Sequence, residues 1–129
     1  MLNDNAKLWV KALRSGEYKQ CTQFLHIAGS DGDEFCCLGV ACDLYIKEGN
    51  ELEVKRNPYD APHTVRYNEI TSVLPREVRD WLGLRSEDGL YNAPIQDRTL
   101  VGDNDNGKTF EEIADIIESE PEGLFRVAI

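Results

Sequence analysis

The sequence predicts a single α+β domain in which a small antiparallel sheet packs with a central buried helix and three further amphipathic helices. The central helix is indicated by residues 35–46, where Asp43 is the only charged residue although 29% of the whole chain is charged. The other helices are indicated by apolar residues that recur at helical spacing in three separate segments. With 129 residues, 41% of them hydrophobic, the chain can bury one core, so we predict one domain over residues 1–129.

A first amphipathic helix is predicted close to the N-terminus. Asp4 or Asn5 is a suitable N-cap, and Gly16 is a suitable residue to end the helix. Between them, apolar residues recur at the spacing of one helix face, while basic residues point outward. The apolar stripe consists of Ala6, Trp9, Val10 and Leu13, and the basic residues are Lys7, Lys11 and Arg14.

Short strands are predicted on both sides of the central helix. Residues 18–27 are rich in β-branched and aromatic side chains, residues 28–33 are dense in turn formers, and residues 34–35 suit a short return strand. Farther along, residues 51–56 alternate between apolar and charged side chains. We expect them to pair with residues 63–67.

The central helix itself is predicted over residues 37–46. Cys37, Val40, Ala41 and Leu44 recur at positions i, i+3, i+4 and i+7, which places them on one face. The remaining positions are also mostly apolar, so the helix has to be packed on nearly all sides. We therefore expect it to lie at the centre of the core.

Two more amphipathic helices are predicted in the C-terminal half. Pro75 suits the first turn of one and Gly83 its end, while Thr109 and Glu112 have the spacing of a capping box at the start of the other. Residues 86–106 between them are interrupted by Gly, Pro and a cluster of Asp and Asn, which predicts a loop with brief extended pieces at residues 90–91 and 99–101. The inner faces are Val78, Trp81 and Leu82 in one helix and Phe110, Ile113, Ala114 and Ile117 in the other.

The net charge argues against several classes of function. Fourteen Lys and Arg residues against 24 Asp and Glu residues give a net charge of −10, which repels nucleic-acid phosphates and anionic membrane surfaces. The sequence begins without the features of a signal peptide, and it has no apolar run long enough to span a membrane. We expect a soluble, cytoplasmic protein that binds neither nucleic acid nor membrane, with four reduced cysteines and no cofactor.

An acidic segment matches two ligand-binding patterns. Residues 102–109 satisfy the phosphate-loop pattern G-x-x-x-x-G-K-T letter for letter. Two aspartates inside such a loop would repel a phosphate, so a turn followed by a helix cap explains the same residues. The calcium-loop register lacks its first and last carboxylates, and therefore no metal site is predicted. A looser cation site that uses Asp103 and Asp105 is the alternative.

Cys37 is the most chemically interesting residue, because the start of a helix lowers the pKa of a thiol. Its surroundings resemble the nucleophile motif of papain-like cell-wall peptidases, D-C-S-G-L-V, with Gly39 and Val40 in agreement and different residues on either side of the cysteine. The resemblance implies a cysteine hydrolase in which His63 is the base. The competing interpretation, which we favour, is that small sulfur side chains pack a crowded helix, so no catalytic residue is predicted.

Arginines are concentrated in the middle third of the chain. If Arg56, Arg66, Arg76 and Arg79 converge, they form a pocket for a small anionic ligand such as a nucleotide-like signal. Residues 55–98 carry acidic and basic side chains in equal number, so a solvated mixed surface is the competing interpretation. Sequestration of an anionic signal is therefore an alternative function.

Four motifs together resemble a family of short uncharacterised proteins of tailed phages and prophages. They are W-V-x-A-L-R-S-G-x-Y at residues 9–18, F-C-C-L-G-V-x-C-D-L-Y at 35–45, L-P-x-x-V-x-x-W-L-G-L at 74–84 and N-D-x-G-K-T-F-x-x-I-A-x-x-I-E at 104–118. The resemblance implies no particular activity, cofactor or catalytic residue. What it implies is a phage-type accessory protein that acts on the host by binding, in host takeover or anti-defence.

The acidic C-terminal segment is the predicted contact surface for such a host partner. Residues 103–122 contain eight acidic side chains and one basic side chain, which is most of the net charge of −10. Glu111, Glu112, Asp115 and Glu118 form the outer face of the last predicted helix, and we expect this face to bind a basic host protein without catalysis. A solvated helix face is the competing interpretation, and homo-oligomerisation is left open.

Overall fold

The computed structural model of the chain describes residues 2–56 and 63–126. Within these residues the chain forms five helices and seven short strands around one hydrophobic core, which confirms the predicted α+β class. The helices are α1 (Asp4–Arg14), α2 (Cys37–Lys47), α3 (Arg76–Leu82), α4 (Leu100–Asp105) and α5 (Phe110–Glu118). The strands are β1 (Lys19–Gln20), β2 (His26–Ile27), β3 (Glu34–Phe35), β4 (Val54–Arg56), β5 (Val65–Tyr67), β6 (Leu90–Tyr91) and β7 (Arg98–Thr99).

The described strands form three small sheets, where one antiparallel sheet is predicted. In the first sheet β3 lies between β1 and β2, parallel to β1 and antiparallel to β2. The second sheet pairs β4 with β5 and the third pairs β6 with β7, both antiparallel. The predicted pairing of residues 51–56 with 63–67 is therefore confirmed for residues 54–56 with 65–67.

The predicted strand over residues 18–27 is divided into β1 and β2. Between them Gln23 has a φ of 72°, in the left-handed region that few non-glycine residues adopt. The backbone N–H of Cys21 donates to Phe35, whereas that of Leu25 donates to Thr71 in a different part of the chain. The chain reverses between β1 and β2, because β1 runs parallel to β3 and β2 runs antiparallel to it.

The predicted central helix is confirmed as α2, and its first six residues, 37–42, are all buried. From Asp43 onward the helix is only half-buried, so it is enclosed on all sides over its first half alone. Trp9 of α1 donates its Nε1–H to the carbonyl oxygen of Cys37 at 2.9 Å. Gly39 packs directly on the backbone of Leu25, since a Cβ at Gly39 would lie 1.7 Å from the Leu25 carbonyl oxygen.

The ends of α1 and α3 are joined by one asparagine side chain. Asn3, rather than the predicted residues 4–5, caps α1 by accepting a hydrogen bond from the backbone N–H of Ala6 at 2.8 Å. Its Nδ2 donates to the carbonyl oxygen of Leu82 at 2.9 Å. The predicted end of α3 at Gly83 is confirmed by a left-handed φ of 75°.

The predicted loop over residues 86–106 is wrong at its end, where the chain forms α4. Thr99 caps this helix by accepting a hydrogen bond from the backbone N–H of Gly102 at 3.0 Å. Apolar periodicity cannot reveal α4, because its buried side chains include the polar Asp103 and Asn104. The capping box predicted at the start of α5 is present.

Candidate functional site

The two aspartates considered for a cation site are each engaged in other contacts. Asp103 is only 2% exposed and accepts hydrogen bonds from the Tyr91 hydroxyl and from Arg98 Nε, the latter at 2.9 Å. Asp105 accepts one from the backbone N–H of Gln23 at 2.8 Å. Among residues 2–56 and 63–126, no group of three or more His, Cys, Asp or Glu side chains is placed to hold a metal ion.

The segment that matches the phosphate-loop pattern is helical over its first half. Residues 102–105 belong to α4, so their backbone does not form the open loop that surrounds a phosphate. The Asp103 carboxylate pairs with Arg98, whose guanidinium lies 2.8 Å away. The local role of these residues is to join α4 to the β6–β7 hairpin.

The side chain of Asn104 connects three parts of the chain by hydrogen bonds that sequence patterns do not reveal. Its Oδ1 accepts hydrogen bonds from Gln20 Nε2 at 2.8 Å and from the backbone N–H of Cys37 at 3.1 Å. Its Nδ2 donates to the carbonyl oxygen of Cys21 at 2.8 Å. This side chain, which is 1% exposed, thus connects α4 to Gln20 of β1, to Cys21 directly after β1 and to the start of α2. In the sequence it is one residue of an Asp-Asn cluster, which is typical of an exposed turn.

The geometry around Cys37 favours the packing interpretation over a nucleophile. The residue is fully buried, and its thiol donates to the carbonyl oxygen of Leu100 at 3.6 Å. Burial raises the pKa of the Cys37 thiol well above its usual value, more than the adjacent backbone N–H groups lower it. His63, the predicted base, is exposed just before β5. All four cysteines are unpaired and buried.

His26 belongs to a chain of polar groups that runs from the core to the surface. Its Nδ1 lies 2.7 Å from the Tyr67 hydroxyl, and its Nε2 lies 2.8 Å from Asp33 Oδ2, which also accepts a bond from Arg56 at 3.1 Å. A carboxylate can only accept, so the neutral ring donates from Nε2 to Asp33 and accepts from Tyr67 at Nδ1. The ring also stacks on Phe35, with 4.1 Å between ring centroids.

Burial lowers the pKa of His26, and the hydrogen bond to Asp33 only partly offsets this effect. The folded protein therefore favours the neutral ring, and stability is lost as the pH falls below about 6.5, where the unfolded chain takes up the proton first. We expect the free energy of unfolding to decrease between pH 7 and pH 5 by at most about 1.4 kcal/mol per pH unit from this group. Urea denaturation at each pH measures it.

His26→Gln should flatten this pH dependence, and His63→Gln is the matched control. His63 is exposed, so its loss should leave the wild-type slope unchanged. The range ends at pH 5 because Asp33, whose pKa is lowered by His26 and Arg56 against the opposing effect of burial, stays ionised there. Equal slopes for wild type and His26→Gln would contradict the assignment.

The four arginines proposed for a ligand pocket lie on three elements, β4, β5 and α3. Arg56 of β4 pairs with Asp33 at 3.1 Å, and Arg79 of α3 pairs with Asp80 at 3.1 Å. Arg66 of β5 also has an interaction partner, and Arg76 is exposed at the start of α3. Two of these guanidinium groups are therefore already paired, which weakens the case for an anion pocket that the four arginines share.

The acidic face of α5 is organised around a single arginine of α1. The guanidinium of Arg14 binds the carboxylates of Glu111, Asp115 and Glu118, with 2.8 Å to Asp115 and 3.0 Å to Glu118. These three side chains are nevertheless 62%, 70% and 50% exposed. Glu112 lies apart from them, since it closes the capping box with Thr109. The predicted outer face thus presents three fixed carboxylates and one partly exposed cation.

A groove of about 660 Å³ runs alongside this carboxylate cluster. One wall is the face of α1 that carries Lys7, Lys11 and Arg14, and the opposite wall is the end of α5 with Glu118. Its apolar lining comes from Leu2 and Val10. No helix in the described part of the chain is long and apolar enough to cross a membrane.

Comparison with known proteins identifies one family. The model of the family described as "Domain of unknown function (DUF8296)" matches residues 1–121, which is nearly the full length of the chain. No curated protein matches the chain, and no solved structure matches it.

Proposed function

The chain belongs to the DUF8296 family, a domain of unknown function, and we propose its role from its own geometry. We propose that the protein is a non-catalytic binding protein whose α5 face contacts a basic host protein. The resemblance of its motifs to short proteins of tailed phages supports a role in the host cytoplasm, in host takeover or anti-defence. The observation that carries the proposal is the cluster of three exposed carboxylates held by Arg14.

The carboxylate cluster is suited to binding because its geometry is already fixed. Arg14 joins Glu111, Asp115 and Glu118 by hydrogen bonds, so these side chains lose little additional conformational freedom when a partner docks. Three carboxylates against one guanidinium also leave an excess of negative charge on the surface. A partner with clustered Lys or Arg side chains is therefore both steered toward this face and bound by it.

The position of these charges on α5 costs stability, which also supports a role in binding. The C-terminal end of a helix carries partial negative charge and favours basic residues. The last turn of α5 has no basic residue, and it carries Asp115 and Glu118 instead. Natural proteins tend to break such local rules where function requires it.

The proposal predicts that partner binding depends on these three charges and on salt. The variant Glu111→Gln, Asp115→Asn, Glu118→Gln removes the charges but keeps the side-chain shapes. We expect its association rate with a partner captured from bacterial lysate to fall roughly tenfold or more, with a smaller effect on dissociation. For the wild type, binding should weaken steeply as salt approaches 0.5 M, where the screening length is about 4 Å.

A matched control neutralises three exposed acidic residues elsewhere. The variant Glu17→Gln, Glu48→Gln, Glu51→Gln removes the same number of negative charges from a chain of net charge −10. If total charge were sufficient, both variants would lose the partner equally. Retention of the same partners at unchanged rates by the α5 variant, or in 0.5 M salt, would refute the proposal.

A further inference from the structure

The groove between α1 and α5 has two lysines for which the described residues provide no carboxylate. Lys19, Lys47 and Lys55 each form an ion pair with a nearby acidic side chain. Lys7 and Lys11 form none within residues 2–56 and 63–126, although the chain carries 24 acidic residues against 14 basic ones. Both lysines lie on one wall of the groove, so their ammonium groups are available to a ligand there.

The carboxylates that line the same groove already have partners. Glu118 on the opposite wall is bonded to Arg14 at 3.0 Å, and Glu120 has an interaction partner of its own. The charged groups of the lining for which the described residues show no partner are therefore Lys7 and Lys11. A group that enters the groove on the α1 side meets positive charge there.

Beside the two lysines the lining of the groove is apolar. Lys7 and Lys11 lie one turn apart on α1, and Val10, which is 5% exposed, lies next to them at i+3 from Lys7. Leu2 extends the apolar surface beyond the start of α1. The aliphatic stems of the lysines add to this surface while their ammonium groups remain in water. A volume of about 660 Å³ lies within the range of small-molecule sites.

From these observations we infer that the groove binds a small amphipathic anion. The apolar body of the ligand lies against Leu2 and Val10, and its carboxylate, or an equivalent monoanionic head group, accepts hydrogen bonds from Lys7 and Lys11. This site adjoins the protein contact proposed for the carboxylates of α5, with which it shares Arg14 and Glu118. The groove binds a small anion, whereas the α5 face binds a positively charged protein.

The test is a titration of the ¹⁵N-labelled protein with decanoate below its micelle concentration, followed by amide chemical shifts. We expect saturable shifts in residues 2–15 and 116–120. Decyltrimethylammonium, with the same chain and opposite charge, should bind roughly tenfold more weakly, because it lacks two charge-assisted contacts. Acetate, which has the head group without the chain, should not saturate at the same concentrations.

Two double variants separate the local contact from the general effect of charge. Lys7→Gln, Lys11→Gln should weaken decanoate binding roughly tenfold, whereas Lys19→Gln, Lys55→Gln, which also removes two positive charges, should leave it unchanged. All four lysines are exposed, so we expect both variants to fold, which circular dichroism verifies.

Three results would overturn the inference. They are equal affinity for decanoate and for the cationic probe, equal weakening in the two double variants, and shifts that do not map to the groove. None of these results depends on a protein partner, so the inference and the proposed function fail independently.

Discussion

Replacing Gly39 with alanine is expected to lower the free energy of unfolding by about 3 kcal/mol or more, a large part of the total stability of a domain of this size. The added Cβ would lie 1.7 Å from the carbonyl oxygen of Leu25 and 2.6 Å from its carbonyl carbon. These are backbone atoms, so no side-chain rotation can relieve the overlap. The same carbonyl accepts a hydrogen bond from Cys36 at 3.1 Å, and a shift that makes room would strain that bond.

Gly107→Ala is the control for this experiment, because it introduces the same methyl group without a clash. Gly107 has a φ of 104°, and an added methyl group would meet no atom within 4 Å, so its substitution costs only backbone strain. We expect that strain to cost roughly 1–2 kcal/mol. Urea denaturation followed by the fluorescence of the buried Trp9 gives both values. A loss at Gly39 no larger than the loss at Gly107 would show that α2 does not lie so close to Leu25.

The second large effect is expected from Asn104→Leu, which keeps the approximate size of the side chain and removes its hydrogen bonds. The backbone N–H of Cys37 and the carbonyl oxygen of Cys21 would then be left without these partners. Each buried polar group that is left unsatisfied costs about 1–3 kcal/mol, so we expect a loss of roughly 3–5 kcal/mol. Denaturation in urea measures the total.

Hydrogen exchange tests the local cause of this loss. In a conservative variant that still folds, Asn104→Ala, the amide of Cys37 should exchange faster relative to the rest of α2. Asn106→Leu is the matched control two residues along, because Asn106 is exposed and, among the residues that the structure describes, its side chain bonds only to the carbonyl oxygen of Gly102. A similar loss of stability in the two leucine variants would mean that Asn104 is not the connection between α4 and α2.

Four of the five described helices could be predicted from local patterns. Helices α1, α2, α3 and α5 each bury apolar residues at helical spacing. Gly83 marks the end of α3, and the Thr109 capping box marks the start of α5. The short helix α4 could not be predicted, because its inner face includes Asp103 and Asn104. Strand pairing was predictable for β4 with β5 and for β2 with the return strand β3, whereas the parallel pairing of β1 with β3 depends on contacts that a periodic pattern does not contain.

The candidate surface was predictable in part. Charge counts locate the acidic segment, and helical spacing places Glu111, Asp115 and Glu118 on the outer side of α5. That Arg14 lies among these three carboxylates is a contact between residues about one hundred positions apart, which no local pattern contains. The groove beside them depends on the same packing of α1 against α5.

By itself, the sequence determined the α+β class, the buried first half of α2 and the concentration of negative charge near the C-terminus, because each follows from the order of side chains along a short stretch. Only the tertiary structure decided which polar side chains are buried. Asp103 and Asn104 read as turn residues in the sequence, yet they lie in the interior because Arg98, Gln20 and the backbone of Cys37 satisfy them there. A polar residue can be buried wherever partners compensate its loss of water, and those partners come from distant parts of the chain.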